Sequence, residues 1–355
     1  MHHRAAAAAC ALLTAAAGAA AVPAAPPAAA EPSPDPSAVP GGAQVRFRIQ
    51  DPRIAESSGL AASAAHEDVY WTHNDSGDYA PEVFAVDGQG STQAVLTLTG
   101  EGVELRDWEA VAVSEGPDGR SAVHIGDIGD NFEGGWPSIR VYRFPEPEDL
   151  ADATVEAEAF TFTYADGGRN AEGMMIDPRD GRLYVVSKEV AGGLYAAPEE
   201  LDPDGTDSLE RVDSAPLYAT DAAFAPDGSH YAIRTYWGVT FYDASEGVPG
   251  KSVGRIGLPE SEQGESLTFT PDGESVLVGT EGLESPVWEV PVPGHMRGAG
   301  GPSADDAESS PSGDASSEAD GATADTAPGA LTFILGGAGV AAAVIAGIVL
   351  LVRRT

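Results

Sequence analysis

Five short apolar segments, each opening on a small or acidic residue, recur along the middle of this chain and constrain its fold more than any other feature. The opening residues are Ser58, Glu109, Glu172, Thr220 and Glu265, at intervals of about 45 to 63 residues. Four of the five segments run into a turn containing Pro, Asp and Gly, and a second apolar segment follows each turn. Repeats of roughly 40–50 residues built from short strands are typical of β-propellers. The sequence therefore predicts an all-β propeller.

The number of strands in each repeat indicates how such a propeller would close. The first four repeats each divide into four candidate strands, whereas the fifth has three, the last near residues 286–290. A spare strand with alternating polar and apolar residues stands in front, at residues 44–50. If it paired with the last repeat it would complete that blade and cover exposed sheet edges. We therefore predict five blades closed by the N-terminal strand, and favour five over six because the long interval between Glu109 and Glu172 has room for loops but hardly for another blade.

An apolar segment at the N-terminus predicts export. Residues 1–30 begin with Met-His-His-Arg, continue with an alanine- and leucine-rich run and end on three alanines, which is the pattern of a cleaved signal peptide. The single cysteine, Cys10, lies inside this run, and a lipoprotein site there is the less favoured alternative. Cleavage would leave a chain with no thiol, which excludes disulfides, thiol catalysis and cysteine-ligated zinc.

A second apolar segment predicts a membrane anchor. Residues 331–352 carry no charge and are followed by Arg353 and Arg354. About 20 apolar residues span a bilayer, and arginines concentrate on its cytoplasmic side. We expect one transmembrane helix within residues 327–352, with the propeller outside the cell and residues 353–355 in the cytoplasm. A buried core helix is the alternative, which the neighbouring acidic linker makes less favourable.

Composition separates the folded body from its linkers. Residues 31–42 are rich in proline, and residues 294–326 are rich in Gly, Ser, Ala and acidic residues, which is typical of a disordered stalk. The propeller is thereby assigned to residues 43–293. The formal net charge of −37 argues against nucleic acid and anionic lipid surfaces as partners.

Glutamates at three of the five repeat openings predict a metal site. Close carboxylates in a narrow channel repel one another unless they are protonated, hydrated or neutralised by a cation. Calcium accepts carboxylate, hydroxyl and carbonyl oxygens together. The predicted calcium ligands are Ser58, Glu109, Glu172, Thr220 and Glu265. The alternative is a hydrated acidic channel that binds no metal.

Polar residues at the ends of the second strands are expected beside these openings. In an antiparallel blade the first strand begins, and the second strand ends, on the same face. The candidate catalytic residues on this face are His73, Asp127, Asp130, Lys188, Glu189 and Arg234. Lys188, Arg234 and His73 would bind negative charge, and the carboxylates would activate water beside calcium. The alternative for each is an ordinary structural role in a turn or a surface ion pair.

The order Ser, Glu, Glu, Thr, Glu around five blades resembles the central calcium site of the calcium-activated nucleotidases, or soluble apyrases. The resemblance implies a five-bladed propeller in which these five residues bind one calcium ion, with Thr220 a conservative departure. It does not extend to the nucleotide-binding loops, so it does not imply nucleotidase activity. The phrases around His73, Asp107 and Asp127 are also similar to secreted bacterial propellers labelled esterase-like or phytase-like.

Two functions follow as alternatives. The first is a surface module that binds a glycan, a peptide or a protein, using exposed aromatic residues such as Trp136 and Trp237 near loop tips. The second is a calcium-dependent hydrolase of a small anionic substrate such as a phosphoester. A rigid ring tethered outside the cell favours the binding module, because a fold alone does not specify a reaction.

Overall fold

The computed structural model describes residues 42–132, 134–261 and 263–297, which belong to one compact unit, Met1–Ser303. The expected signal peptide, transmembrane segment and cytoplasmic tail lie outside these residues, as do nearly all of the leader and the stalk. A second unit, Ala304–Thr355, also lies outside them. No helix among the described residues has the length and apolar character needed to cross a membrane.

The described residues form an all-β arrangement. In chain order the strands are β1 (Gln44–Arg48), β2 (Ser57–Ala62), β3 (Val69–Asn74), β4 (Glu82–Asp87), β5 (Thr92–Thr99), β6 (Trp108–Glu115), β7 (Ser121–Asp127), β8 (Ile139–Pro145), β9 (Ala153–Glu156), β10 (Glu158–Tyr164), β11 (Ala171–Ile176), β12 (Leu183–Ser187), β13 (Gly193–Ala196), β14 (Asp207–Ser214), β15 (Ala219–Phe224), β16 (His230–Thr235), β17 (Gly238–Asp243), β18 (Lys251–Gly257), β19 (Leu267–Phe269), β20 (Ser275–Val278) and β21 (Pro286–Pro291).

The strands assemble into propeller-like sheets. Antiparallel neighbours follow the chain in the orders β2-β3-β4-β5, β6-β7-β8-β10, β11-β12-β13-β14, β15-β16-β17-β18 and β19-β20-β21. The first strands of these groups (β2, β6, β11, β15 and β19) contact one another in cyclic order, and β19 returns to β2. These five inner strands therefore surround a central channel.

The closing strand lies where the sequence predicts it. Strand β1 pairs antiparallel with β21, with Gln44 opposite Glu289 and Arg48 opposite Pro286. It is the outer strand of the sheet β1-β21-β20-β19. The two ends of the described chain are thus joined in one sheet, which protects an edge that would otherwise be open.

The chain changes partner within residues 153–164, where the strand pairing is interrupted at Ala157. The part before the break, β9, pairs in parallel with β5, whereas β10 pairs with β8 and, in parallel, with β14. This short segment therefore links three of the strand groups.

Aromatic residues fill the space between neighbouring sheets. Trp71 on β3 and Trp108 on β6 are fully buried in one apolar cluster that also contains Tyr142 and Phe144. The indole Nε1 of Trp71 donates a hydrogen bond to Glu146 Oε1 at 2.7 Å, as a buried indole requires. Beyond the last strand, Gly294–Met296 form a short 3-10 helix and Met296 is buried against the sheet, so these residues pack on the body although the sequence assigns them to the stalk.

Candidate functional site

Local irregularities position the predicted ring residues at the start of the inner strands. Four inner strands show a shift in pairing register there, between Ser57 and Leu60, Trp108 and Ala110, Ala171 and Gly173, and Ala219 and Asp221. A β-bulge leaves a residue outside the regular ladder and re-aims its side chain. Ser58, Glu109, Glu172 and Thr220 fall inside these shifts.

All five ring residues are buried. Their relative exposures range from 0 % at Thr220 to 6 % at Glu109. The Ser58 hydroxyl donates a hydrogen bond to Glu109 Oε2 at 2.9 Å. Thr220 Oγ1 and Glu265 Oε2 have no hydrogen-bond partner among the described residues. Burying a polar oxygen without a partner is costly. These two oxygens are therefore available as ligands.

Lys188 supplies an internal cation to one side of the ring. Its Nζ lies 2.5 Å from Glu172 Oε2 and 3.9 Å from Glu265 Oε1. The Tyr236 hydroxyl donates to Glu265 Oε1 at 3.2 Å, and Lys188 Nζ lies 5.0 Å from the centre of the Tyr236 ring. Burial alone lowers the pKa of Lys188, but Glu172 and Glu265 outweigh it and the net pKa is raised. Lys188 therefore stays charged and offsets part of the negative charge of these two glutamates.

The other side of the ring holds three carboxylates that we call the acidic triad: Asp75, Asp107 and Glu109. One carboxylate oxygen from each lies within 4.8 Å of the others. Burial, followed by the charges of Asp107 and Glu281, raises the pKa of Asp75 to about 8. Burial also raises the pKa of Asp107, and burial together with the charges of Glu172 and Asp75 raises that of Glu109. Such shifts mark carboxylates that lack sufficient positive charge nearby.

The loop after β7 shapes the acidic triad. The Asn131 side-chain amide donates to both carboxylate oxygens of Asp107, at 3.1 and 3.2 Å. The Gly129 amide donates to the Asp107 carbonyl at 3.1 Å. A Cβ atom at Gly129 would stand 2.6 Å from both Asp107 Oδ2 and Glu109 Oε1. Only a glycine fits here without displacing the two carboxylates.

Asp75 and Asp107 are the ligand candidates that the sequence reasoning missed. Asp75 follows the last residue of β3, and Asp107 precedes the first residue of β6. The Trp108 amide donates to the Asp75 carbonyl at 3.1 Å, which joins the two segments directly. Their proximity could have been predicted from the sequence, because the second strand of one group ends beside the start of the first strand of the following group.

The aspartates Asp127 and Asp130, predicted as bases, hold the backbone in place. Asp127 is fully buried, accepts the Asp107 amide at 2.9 Å and the Tyr142 hydroxyl at 3.0 Å, and has its pKa raised by burial. Asp130 accepts the amides of Phe132 at 2.8 Å and Trp136 at 2.7 Å. Asp127 thus holds the backbone of Asp107, a member of the acidic triad, and Asp130 holds the loop that follows β7.

The remaining candidates are His73, Arg234, Glu189 and Lys188. His73 is fully buried, with its ring 5.9 Å from that of Trp108, and burial lowers its pKa to about 4. Arg234 is buried and donates to the carbonyls of Ser266 and Gly279; burial lowers its pKa to about 10. Glu189 accepts the Ser187 hydroxyl at 3.1 Å and pairs with Arg169. Of the six predicted candidates, Lys188 is the one whose ammonium contacts ring carboxylates in the described residues.

The opposite end of the channel is apolar. A cavity of about 470 Å³ is lined by all five inner strands, including Leu60, Val111, Met174, Phe224 and Phe269. The Pro-Asp-Gly turns stand at this end, represented in the lining by Pro226 and Pro271. The acidic triad and Lys188 lie at the other end of the channel, and we call the face that carries them the acidic face.

Comparison with known proteins gives limited similarity. No protein-family model matches the chain, and no curated protein matches it. A solved gluconolactonase from Xanthomonas campestris is similar over 72 % of this chain and 92 % of its own, with 15 % identity and a TM-score of 0.42. The hydrazine synthase of Kuenenia stuttgartiensis is similar over 65 % of this chain and 57 % of its own, with 16 % identity and a TM-score of 0.35. Values this low support no conclusion about activity.

Proposed function

We propose that this protein is an extracellular, membrane-anchored propeller of five blades that binds calcium in its channel and uses the acidic face to bind a partner. The observation that carries the proposal is the acidic triad: two buried carboxylates, Asp107 and Glu109, and the partly buried Asp75, with one oxygen from each within 4.8 Å of the others. Lys188, the nearest ammonium, is already paired with Glu172 and Glu265. A divalent cation is the simplest neutralising partner for the remaining charges.

The donor set fits calcium. Asp75, Asp107 and Glu109 would contribute carboxylate oxygens, and the Ser58 hydroxyl lies 2.9 Å from one oxygen of Glu109. Calcium takes six to eight oxygen ligands in flexible geometry and tolerates water among them. The space left by Gly129 supports this assignment, because a side chain there would fill the gap between two of the carboxylates. The proposed ion therefore lies nearer the acidic triad than the ring of five residues predicted from the sequence, with Glu109 common to both sets.

Binding is favoured over hydrolysis by the state of the predicted catalytic groups. Asp127 and Asp130 accept hydrogen bonds from backbone amides and, for Asp127, from Tyr142, and Arg234 Nη1 donates to two backbone carbonyls. His73 is buried with a lowered pKa. A general acid or base needs access to substrate within hydrogen-bond reach, which these buried groups lack. The calcium-dependent hydrolase remains the second candidate, with Lys188 as the group that would bind an anion.

Calorimetric titration of the purified protein with calcium tests the proposal. We expect one bound ion and a raised melting temperature, both lost in Asp107→Asn. Glu246→Gln is a matched control, because Glu246 is exposed in the connection between β17 and β18 on the opposite face. No heat of binding and no thermal shift would refute calcium binding. Calcium-dependent turnover of p-nitrophenyl phosphate, abolished by Lys188→Ala, would favour the hydrolase instead.

A further inference from the structure

Exposed apolar side chains concentrate on the acidic face. Among the described residues, seven large apolar side chains are exposed, and six of them stand in connections between the second and third strands of a sheet or between successive strand groups. These connections all lie at the end where the inner strands begin. The six residues are Phe132, Val190, Leu217, Tyr218, Trp237 and Leu283. Contiguous exposed apolar patches mark interaction surfaces, and this face carries the side chains that could form one.

Three aromatic residues on this face form what we call the aromatic platform: Tyr218, Tyr236 and Trp237. The Trp237 ring is 56 % exposed, and its centre lies 6.3 Å from that of Tyr218 and 6.1 Å from that of Tyr236. Tyr218 has a φ of 51°, which is costly for a bulky residue, and its amide is held by the Glu189 carbonyl at 3.1 Å. Tyr236 is fixed by its hydrogen bond to Glu265. The platform is therefore prearranged, which reduces the entropy cost of binding.

Two open pockets adjoin the aromatic platform, and we call them together the double pocket. The first, about 510 Å³, has Tyr236, Trp237, Leu258 and Pro259 as its wall. The second, about 450 Å³, contains Glu56, Glu281 and Trp288. The pockets share Glu260 and Ser261 in their linings, so they lie beside the same loop. An aromatic and apolar wall therefore lies next to a group of carboxylates.

The charge of the double pocket identifies its occupant. Glu56, Glu260 and Glu281 line it, and no lysine or arginine is among its described lining residues. None of the three glutamates takes part in an ion pair within the described part of the chain. A second copy of this chain, with a net charge of −37, and its own acidic stalk would both be repelled. The complementary partner is cationic with an apolar component.

We propose that the double pocket binds a segment of a partner polypeptide, with a lysine or arginine side chain at Glu56 and Glu281 and an apolar side chain on Trp237. This inference rests on the proposed binding function and names its class of partner. Trp residues anchored in a pocket are frequent hot spots of protein interfaces. A cation that passes over the Trp237 face would gain a cation–π contact before it reaches the carboxylates. Polypeptide is favoured over a neutral glycan because a lysine or arginine side chain would offset the negative charge of the three glutamates, which glycan hydroxyls would not.

Fluorescence anisotropy with labelled hexapeptides tests the inference. Each peptide carries one lysine and one leucine at separations from one to three residues, and a matched set carries glutamine in place of lysine. At about 0.15 M salt, where charges beyond a Debye length are screened, we expect the lysine set to bind more tightly than the glutamine set. Trp237→Ala and Glu281→Gln should each weaken binding about tenfold, as loss of about 1.4 kcal/mol implies. Glu246→Gln on the opposite face should have no effect.

The outcomes separate this inference from the proposed function. Equal affinity for the two peptide sets, or affinity that Trp237→Ala leaves unchanged, would overturn the peptide site. So would a lack of binding at millimolar peptide, or binding of a neutral oligosaccharide that is lost in Trp237→Ala. If the calcium-induced thermal shift persists in these cases, calcium binding stands and only the assignment of the partner fails. Measuring that shift in each variant also shows that the variant is folded.

Discussion

The substitution Glu109→Gln should stabilise the protein in the absence of calcium and remove most of the stabilisation that calcium provides. Glu109 is buried, and its carboxylate lies within 4.8 Å of those of Asp75 and Asp107. Two unit charges at that separation repel by about 3.5 kcal/mol at an effective dielectric constant of about 20. Glutamine removes two of the three repulsions in the acidic triad, keeps nearly the same volume and can still accept the Ser58 hydroxyl hydrogen bond.

The expected gain is smaller than the full Coulomb energy, because the raised pKa values show that protonation already relieves part of the repulsion. In chelator at about pH 8 we expect Glu109→Gln to stabilise the protein by about 1–3 kcal/mol. In calcium at a hundredfold excess over Kd, the wild-type protein should gain about 2.7 kcal/mol. Each kcal/mol shifts Tm by about 2–4 °C in a domain of this size. The variant should lose most of the calcium-dependent rise of about 5–10 °C.

Scanning calorimetry of both proteins in chelator and in calcium measures the four melting temperatures. The reasoning is refuted if Glu109→Gln lowers Tm in chelator, or if it retains the full rise with calcium. The control variant Glu246→Gln should match the wild-type melting temperature in chelator and in calcium. A simple packing defect at position 109 would lower Tm under both conditions, so a raised Tm in chelator distinguishes loss of charge from loss of packing.

Three further predictions follow from the same structure. In chelator, Tm should fall as pH rises through about 8, because the pKa of Asp75 is raised in the folded state. The stability that this raised pKa contributes is complete only below the pKa of Asp75 in the unfolded chain and is lost as pH rises through the folded pKa. Saturating calcium should abolish this fall, and thermal melts from pH 6 to 9 would check both expectations. Gly129→Ala should place a Cβ 2.6 Å from Asp107 Oδ2 and Glu109 Oε1. It should therefore weaken calcium binding at least tenfold and lower the free energy of unfolding by about 1–3 kcal/mol. A calorimetric affinity equal to that of the wild type would contradict the proposed position of the ion beside Gly129. The full chain should sediment with membranes whereas a chain ending at residue 330 should not, and equal partitioning in a flotation assay would contradict the anchor.

The repeat pattern in the sequence determined the general architecture. Short strands separated by Pro-Asp-Gly turns at regular intervals specify antiparallel hairpins locally, so the strand groups and the closing pair of β1 with β21 could be predicted. Signal peptide and membrane anchor are likewise predictions from composition, and they lie outside the described residues. The burial of Glu109, Glu172 and Glu265 was also implied, since the start of each inner strand must face the channel.

Tertiary structure alone decided which charges meet. Lys188 follows β12, and its ammonium pairs with Glu172 of the same strand group. The same ammonium also approaches Glu265, which belongs to a strand group far along the chain. Asp75 and Asp107 come from neighbouring groups and converge on Glu109, while Asp127 turns away to support the backbone. These contacts depend on small rotations at the bulges and on the channel radius, which no local pattern encodes. The sequence therefore determined that carboxylates would line the channel. The assembled sheets determined which of them lie beside Lys188 and which do not, because electrostatic pairing is set by distances of a few ångströms between segments far apart in the chain.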